Sequence, residues 1–212
     1  MGESIPEGDY VLRLIADLKA DLPWVQGRKL SSIFFGGGTP SLFSGAAIAE
    51  ILNAAEQLIG FETGIEITLE ANPGTFEQQK FADFRSAGVN RLSIGVQSFN
   101  PQHLEQLGRI HDGSQALAAM ATASRAGFSN FNIDLMHGLP EQTPEQAGSD
   151  IALAISQGAQ HISWYQLTIE PNTEFYSRPP SIPNDDRLAD IQQAGMRLLG
   201  DSGFEQYEVS AF

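Results

Sequence analysis

Short β-prone runs alternate with amphipathic helical patterns along almost the whole chain, and this alternation limits the folds that the sequence can adopt. Strands are predicted at Ser31–Phe35, Ile65–Glu70, Arg91–Val96, Phe131–Met136 and His161–Leu167. Helices are predicted at Asp9–Trp24, Gly45–Ile59, Thr75–Ala87, Pro101–Leu107, Ser114–Ala126, Thr143–Gln157 and Asp185–Ser202. The alternation predicts an α/β fold in which helices flank a parallel sheet.

The first predicted element, Asp9–Trp24, is a helix with no strand before it, whereas a right-handed βαβ crossover begins with a strand. We therefore expect an incomplete (βα)6-type parallel barrel, with five strands present and the first strand missing. The apolar flank beside Ser31–Phe35 would then be exposed, which favours aggregation or dimerisation. The segment Ser177–Asp186 contains three prolines and is predicted to be irregular.

Composition excludes several classes of protein. The 212 residues, 42 % hydrophobic and 18 % charged, suit one large or two small globular domains. A net charge of −14 argues against a general nucleic-acid binder. There is no apolar run of membrane-spanning length, and Met1–Asp9 does not read as a signal peptide, so we expect a cytoplasmic protein. The chain has no cysteine, which excludes disulfides and thiolate metal sites within it.

A run of three glycines, Gly36–Gly38, follows the first predicted strand within the stretch FFGGGTPSL. An ordered glycine run marks an unusual turn or a place where another group approaches the backbone closely. The spacing G-x-G-x-x-G is absent and no Gly-Lys-Ser/Thr follows, so neither a dinucleotide fingerprint nor a P-loop is predicted. The run therefore indicates a ligand other than a plain phosphate, with a tight turn against a neighbouring helix as the alternative.

Each predicted strand has candidate polar residues in its second half or just after it, and parallel α/β proteins bind ligands at the carboxyl ends of their strands. These residues are Gly36–Thr39, Glu70 with Asn72, Gln97, Asp134 with His137, and Gln166 with Thr168. We expect them to converge on one rim, although ordinary loop polarity explains any single one of them. Asp134 is the hardest to dismiss, because a carboxylate between apolar neighbours needs a partner. The alternative interpretation of Arg109 is an ordinary surface residue. The alternative for His111 and His137 is that they are structural histidines.

Several long motifs occur together and in order: FFGGGTPSL, EITLEANPGT, GVNRLSIGVQSFN, LGRIH, NIDLMHGLPEQT and SWYQLTIEPNT. They resemble the radical S-adenosylmethionine proteins related to oxygen-independent coproporphyrinogen III oxidase. Within that group, LGRIH, DLMHGLP and WYQLTIEPNT are more similar to the heme chaperone (HemW-type) branch than to the oxidase. The resemblance covers nearly the whole chain.

The resemblance implies a set of contacts to S-adenosylmethionine. The α-ammonium would meet Glu70 and the glycine run, the α-carboxylate would pair with an arginine, and the ribose hydroxyls would meet an amide and a carboxylate. Backbone after the last strand would bind the adenine. The residues implied for the α-ammonium are Gly37, Gly38, Thr39 and Glu70. Arg109 is implied for the α-carboxylate, Gln97 and Asp134 for the ribose hydroxyls, and Thr168 for the adenine. The resemblance implies no catalytic side chain and no metal ligand within this chain.

This sequence departs from the family in one respect. The family carries a C-x-x-x-C-x-x-C signature on its first strand, and the three thiolates bind a four-iron, four-sulfur cluster. With no cysteine, this chain is not expected to bind the cluster. We expect residues 1–212 to be the central part of the domain, truncated at both ends, without the cysteine loop and the C-terminal domain. A cluster-free relative is the alternative.

The resemblance implies a heme chaperone that binds heme and delivers it to acceptor proteins. A membrane-associated acceptor and a second copy of the chain, in a homodimer, are further candidate partners. The alternative is the oxidase, which decarboxylates the propionates of a porphyrinogen through a 5′-deoxyadenosyl radical, although no such activity is expected of a cysteine-free chain. A barrel enzyme acting on phosphorylated sugars is a third option, opposed by the lack of a glycine-rich phosphate loop near the late strands.

Overall fold

The structure is a computed structural model that describes residues 6–109 and 111–212, without the side chains of residues 75 and 76. The strands are β1 (Leu30–Phe35), β2 (Phe61–Ala71), β3 (Arg91–Gln97), β4 (Phe131–His137) and β5 (His161–Gln166). The helices are α1 (Glu7–Val25), α2 (Gly45–Leu58), α3 (Thr75–Gln78), α4 (Phe81–Ala87), α5 (Pro101–Gln106), α6 (Gly113–Arg125), α7 (Pro144–Ser156), α8 (Glu174–Ser177) and α9 (Asp185–Asp201).

The five strands form one sheet in the order β1-β2-β3-β4-β5. β1 is parallel to β2, from Ser32 opposite Glu66 to Phe35 opposite Leu69, and β4 is parallel to β5. All the predicted strands are therefore present. β1 stands at the end of this order, and its Phe34 side chain is 60 % exposed, which confirms the exposed apolar flank expected beside the first strand.

The chain divides into two compact units. The first comprises Met1–Ser93 and Ala121–Ser129. In it α2 packs against α1 and α4, because each helix presents an apolar stripe that must be buried. The fully buried side chains of this unit include Ile48, Phe81 and Phe84.

The second unit comprises Ile94–Met120 and Asn130–Phe212. Here α7 packs against α9 and β4, and the buried side chains include Ile133, Leu135, Ile151 and Ile162. The last residues of the chain run antiparallel to β5, where the backbones of Ile162 and Phe212 exchange two hydrogen bonds of 2.9 and 3.0 Å.

Two predicted boundaries are wrong. The single helix predicted at Thr75–Ala87 is two helices, α3 and α4, with Lys80 at the N-cap of the second. β2 begins at Phe61 instead of Ile65, because three residues that are not apolar follow Phe61 and the regular alternation starts only at Ile65. The pairing with β1 is also irregular there, with a shift in register between Leu30 and Ser32.

The other helices and strands agree with the prediction to within two residues at their ends, and α8 was not predicted. In the described ranges, no helix is both long and apolar enough to cross a membrane. The interpretation that Met1–Asp9 is not a signal peptide falls partly on residues 1–5, outside the described residues.

Candidate functional site

The glycine run after β1 exposes bare backbone. Gly37 and Gly38 have φ angles of +79° and +57°, a region that residues with a Cβ rarely adopt. A Cβ at either position would meet no atom within 4 Å, so the space beside this backbone is open. At Gly36, in contrast, a Cβ would stand 2.8 Å from the ring of Phe34 and 3.2 Å from Oε1 of Glu70. The backbone therefore has an unusual conformation and faces open space at Gly37 and Gly38, whereas neighbouring side chains approach it closely at Gly36.

Glu70, near the end of β2, lies beside this run. The backbone N–H of Gly37 donates to Oε2 of Glu70 at 3.1 Å, and the parallel register sets Leu69 opposite Phe35. The structure thus brings together two residues that the sequence analysis assigned to one ligand group. A half-buried carboxylate next to open backbone is suited to a positively charged partner such as an ammonium.

A cavity of about 500 Å³ opens at the glycine run, within the size range of small-molecule sites. Residues 36–39 line this cavity together with Pro40. Apolar and aromatic side chains form the remainder: Tyr10, Leu14, Phe34, Phe35, Leu42, Phe43, Ile48 and Ile51. A ligand here would meet both the glycine run and a largely apolar surface.

Lys80 holds the segment that follows the glycine run, and sequence reasoning missed it. Its ammonium donates to three successive carbonyl oxygens, those of Ser41 (3.2 Å), Leu42 (2.6 Å) and Phe43 (3.1 Å). Burial lowers the pKa of Lys80, and the nearby Glu7 carboxylate partly opposes this effect. No local signal could have identified Lys80, because its partners lie 37 to 39 residues earlier in the chain.

In the second unit, Asp134 belongs to a polar cluster on one face of β4 and β5. The amide of Asn132 donates to Oδ1 of Asp134 at 2.7 Å and to the hydroxyl of Ser163 at 2.9 Å. Ser163 lies opposite Asp134 in the parallel register. Asp134 therefore has the partner that a carboxylate in a strand requires. The alternation of polar and apolar residues in FNIDLMH and HISWYQ was a signal that could have identified Asn132 and Ser163.

Gln97, at the end of β3, is only 5 % exposed, and its side-chain oxygen accepts a hydrogen bond from the hydroxyl of Tyr165. Tyr165 lies two residues after Ser163 on β5, so both side chains are on the same face of that strand. Gln97 and Asp134 are therefore both linked by hydrogen bonds to this face of β5, Gln97 directly and Asp134 through Asn132.

Arg109 and Thr168, also in the second unit, are exposed. Arg109 follows α5, where its backbone N–H donates to the carbonyl of Leu104 at 2.9 Å, and Thr168 lies two residues after β5. The roles that the resemblance implies for these two residues stay predictions.

His111 and His137 are buried, in agreement with their interpretation as structural residues. The ring Nε2 of His111 donates to the carbonyl of Val96 at 3.0 Å. The ring of His137 packs against that of Trp164 with centroids 4.1 Å apart, and burial lowers the pKa of His137 to about 4. His137 is therefore neutral at physiological pH.

The family model described as the Radical SAM superfamily matches residues 3–154. The heme chaperone HemW of Haemophilus influenzae is 54 % identical and that of Escherichia coli 51 % identical, each over 98 % of this chain and 55 % of the relative. The mouse mitochondrial radical S-adenosyl methionine domain-containing protein 1 is 38 % identical over 98 % of this chain and 48 % of its own length. The chain thus spans about half the length of the curated relatives it matches.

Among solved structures, the coproporphyrinogen III oxidase of Escherichia coli, described as a radical SAM enzyme, matches all of this chain and 50 % of its own, with a TM-score of 0.87 and 27 % identity. The archaeal Elp3 of Methanocaldococcus infernus matches 84 % of this chain with a TM-score of 0.66 and 15 % identity, which shows a likeness of fold alone. The match to the oxidase confirms the fold class expected from the sequence.

Proposed function

The chain belongs to the radical S-adenosylmethionine superfamily, and we propose that it is the central part of a heme chaperone that binds S-adenosylmethionine and delivers heme to acceptor proteins. One observation carries the choice of branch: identity above 50 % over 98 % of the chain to two heme chaperones, against 27 % to the coproporphyrinogen III oxidase. Since the chain spans only about half of those chaperones, heme and the acceptor proteins are proposed from their names.

In the first unit, the residues at the glycine run fit the methionine end of S-adenosylmethionine. Glu70 offers a carboxylate to the α-ammonium, and its bond from Gly37 keeps it beside the open backbone. We propose that the hydroxyl of Thr39 and the backbone of Gly38 bind the same α-ammonium. We also propose the role that the resemblance implies for Arg109, a pair with the α-carboxylate, because a guanidinium suits a carboxylate.

In the second unit, Asp134 and Gln97 offer the groups that suit a ribose diol. The carboxylate of Asp134 accepts hydrogen bonds, and the amide nitrogen of Gln97 donates them, while the Gln97 oxygen accepts from Tyr165. Backbone near Thr168 is proposed for the adenine.

A four-iron, four-sulfur cluster does not fit the residues present. The chain has no cysteine, and in the part that the structure describes there is no group of three or more His, Asp or Glu side chains able to hold a metal ion. We derive no reaction step through a cluster for this chain, and we propose no oxidase activity for it.

Binding of S-adenosylmethionine is tested by equilibrium dialysis with the labelled compound. Asp134→Ala should remove an acceptor for the ribose, at a loss of about 1–3 kcal/mol, or roughly five- to a hundredfold in affinity. Glu70→Gln and Arg109→Ala should also weaken binding, because each removes a charged partner. The exposed Glu62, at the other end of β2, and the exposed Asp190 of α9 provide matched controls as Glu62→Gln and Asp190→Ala. Unchanged affinity in the three test variants would contradict the site.

The branch is tested with a chimera in which this chain replaces the matching part of the Haemophilus influenzae chaperone. Heme transfer to an apo heme protein should be retained. The matching part of the Escherichia coli oxidase, inserted in the same way, is the control and should not support transfer. A chimera that binds S-adenosylmethionine, fails to transfer heme and decarboxylates coproporphyrinogen would favour the oxidase, whose case rests on the TM-score of 0.87.

We also propose a cytoplasmic location, contact with acceptor proteins that include membrane-associated ones, and self-association through the apolar flank of β1. The exposure of Phe34 supports the last point. Sedimentation at rising protein concentration should show association that Phe34→Ser reduces, and a monomer at all concentrations would contradict it.

A further inference from the structure

The backbone at Gln97 adopts a rare conformation. Gln97 has a φ angle of +70°, and the N–H of Ser98 donates to the carbonyl of Val96 at 2.9 Å. A hydrogen bond that spans a single residue with positive φ defines the rare, strained form of the γ-turn. A residue other than glycine stays in such a conformation only where its surroundings hold it there.

Asp150 of α7 binds the two residues that follow this turn. Its Oδ2 accepts from the hydroxyl of Ser98 at 2.7 Å, and its Oδ1 accepts from the backbone N–H of Phe99 at 2.9 Å. Asp150 is 3 % exposed and Ser98 is fully buried. On the other side of the turn, His111 donates to the carbonyl of Val96, the same oxygen that closes the turn. The strained residue is thus held from both sides.

Hydrogen bonds that only link α7 to the loop after β3 would not require a charged side chain at position 150. The donors to Asp150 are a hydroxyl and a backbone amide, both neutral, and burial raises the pKa of Asp150 to about 6 although both hydrogen bonds lower it. A carboxylate is disfavoured at such a position. It nevertheless offers two equivalent acceptor oxygens, and these bind adjacent residues and fix the direction in which the chain leaves the turn.

We infer that Asp150 is a positioning residue for Gln97: through Ser98 and Phe99 it holds the strained turn that directs the Gln97 side chain. Tyr165 donates a hydrogen bond to the side-chain oxygen of Gln97. The turn in the backbone and this bond to the side chain together direct the amide nitrogen of Gln97 toward the ligand. This inference rests on the proposed function, in which Gln97 donates to a ribose hydroxyl.

The first test measures the affinity of the chain for S-adenosylmethionine at a temperature where circular dichroism shows every variant folded. Gln97→Ala and Asp150→Ala should each lower the affinity by about five- to tenfold, and the double variant should be no weaker than Gln97→Ala alone, because the two residues act through one contact. Thr143→Ala is the matched control, since it removes the N-cap hydrogen bond of the same helix at Gln146 and leaves Ser98 and Phe99 untouched. Its affinity should equal that of the wild type.

The second test needs no ligand. In ¹⁵N-labelled protein, the side-chain amide resonance of Gln97, assigned by its loss in Gln97→Ala, should shift in Asp150→Ala and stay in place in Thr143→Ala. If Asp150→Ala does not fold, Asp150→Asn replaces it, with a smaller shift expected because one acceptor oxygen remains.

The outcomes separate the inference from the proposed function. An unmoved Gln97 resonance in the Asp150 variant overturns the inference, whatever the affinities are. An unchanged affinity in Asp150→Ala beside a reduced one in Gln97→Ala overturns it as well and leaves the proposed function standing. An unchanged affinity in Gln97→Ala overturns the proposed ribose contact, and a shifted resonance in the same experiment still supports Asp150 as the residue that positions Gln97.

Discussion

The indole of Trp164 occupies the space that a side chain at Gly195 would need. A Cβ on Gly195 would stand 2.1 Å from Cη2 and 2.5 Å from Cζ2 of that ring. Gly195 lies in the middle of α9 and Trp164 in β5, so the missing side chain is what lets this helix approach the strand so closely. The ring of His137 also packs against this indole, with centroids 4.1 Å apart.

We expect Gly195→Ala to destabilise the protein by about 1–3 kcal/mol, because overpacking of a buried contact outweighs the gain of about 1 kcal/mol that alanine brings to a helix interior. Thermal or denaturant unfolding measures the change. Gly200→Ala in the same helix is the control, because a Cβ there meets no atom within 4 Å, and it should not destabilise. A Gly195→Ala protein as stable as the wild type would contradict the packing at Trp164.

Lys80→Met should loosen the segment that follows the glycine run. The substitution keeps an unbranched apolar side chain and removes the ammonium that binds three carbonyl oxygens, so we expect a loss of about 1–2 kcal/mol in the free energy of unfolding. Hydrogen exchange should be faster in residues 41–43. Lys19→Met, at an exposed position of α1, is the control and should change neither quantity.

His137 should make the protein less stable in acid. Its pKa in the folded protein is about 4, below the usual 6.5, because burial disfavours the charged form. Between these values the unfolded chain binds the proton and the folded protein does not, so stability falls as the pH decreases from about 6.5 to about 4, by at most about 3 kcal/mol. His137→Phe, which keeps a ring beside Trp164, should reduce this slope in urea unfolding at several pH values. An unaltered slope would show that His137 is not the titrating group.

The titration of Asp150 should change the stability of the protein in the opposite direction to that of His137, over a similar range of pH. Burial raises the pKa of its carboxyl from 3.8 to about 6, so between these values the folded protein binds the proton more tightly than the unfolded chain. Stability should therefore fall as the pH rises from about 4 to about 6, by at most about 3 kcal/mol. Asp150→Asn removes this contribution, and its stability should rise more steeply with pH than that of the wild type. Urea unfolding at several pH values measures the stability of the variant. A dependence of stability on pH parallel to that of the wild type would contradict the raised pKa.

Most of the candidate residues could be selected from the sequence, because they lie in or just after strands whose apolar patterns are local and regular. Gly37 follows β1, Glu70 and Gln97 lie near the ends of β2 and β3, and Asp134 lies in the middle of β4. The residues that support them were harder to predict. Asn132 and Ser163 follow from strand alternation once the strands are paired, whereas Lys80 and Asp150 have no local signal at all.

Local features of the chain were enough to predict the order of helices and strands, the parallel α/β class, the bare backbone at Gly36–Gly38 and the superfamily, because periodicity, turn residues and long motifs are all local. Three features became visible only in the folded chain: the break before α4, the strained turn at Gln97 with its hydrogen bonds to Asp150, and the close approach of α9 to Trp164. Each of these depends on groups far apart in sequence; Ser98 and Asp150, for example, are 52 residues apart. Such contacts leave no periodic trace, because only folding brings a buried carboxylate, a hydroxyl and a backbone amide within hydrogen-bond distance.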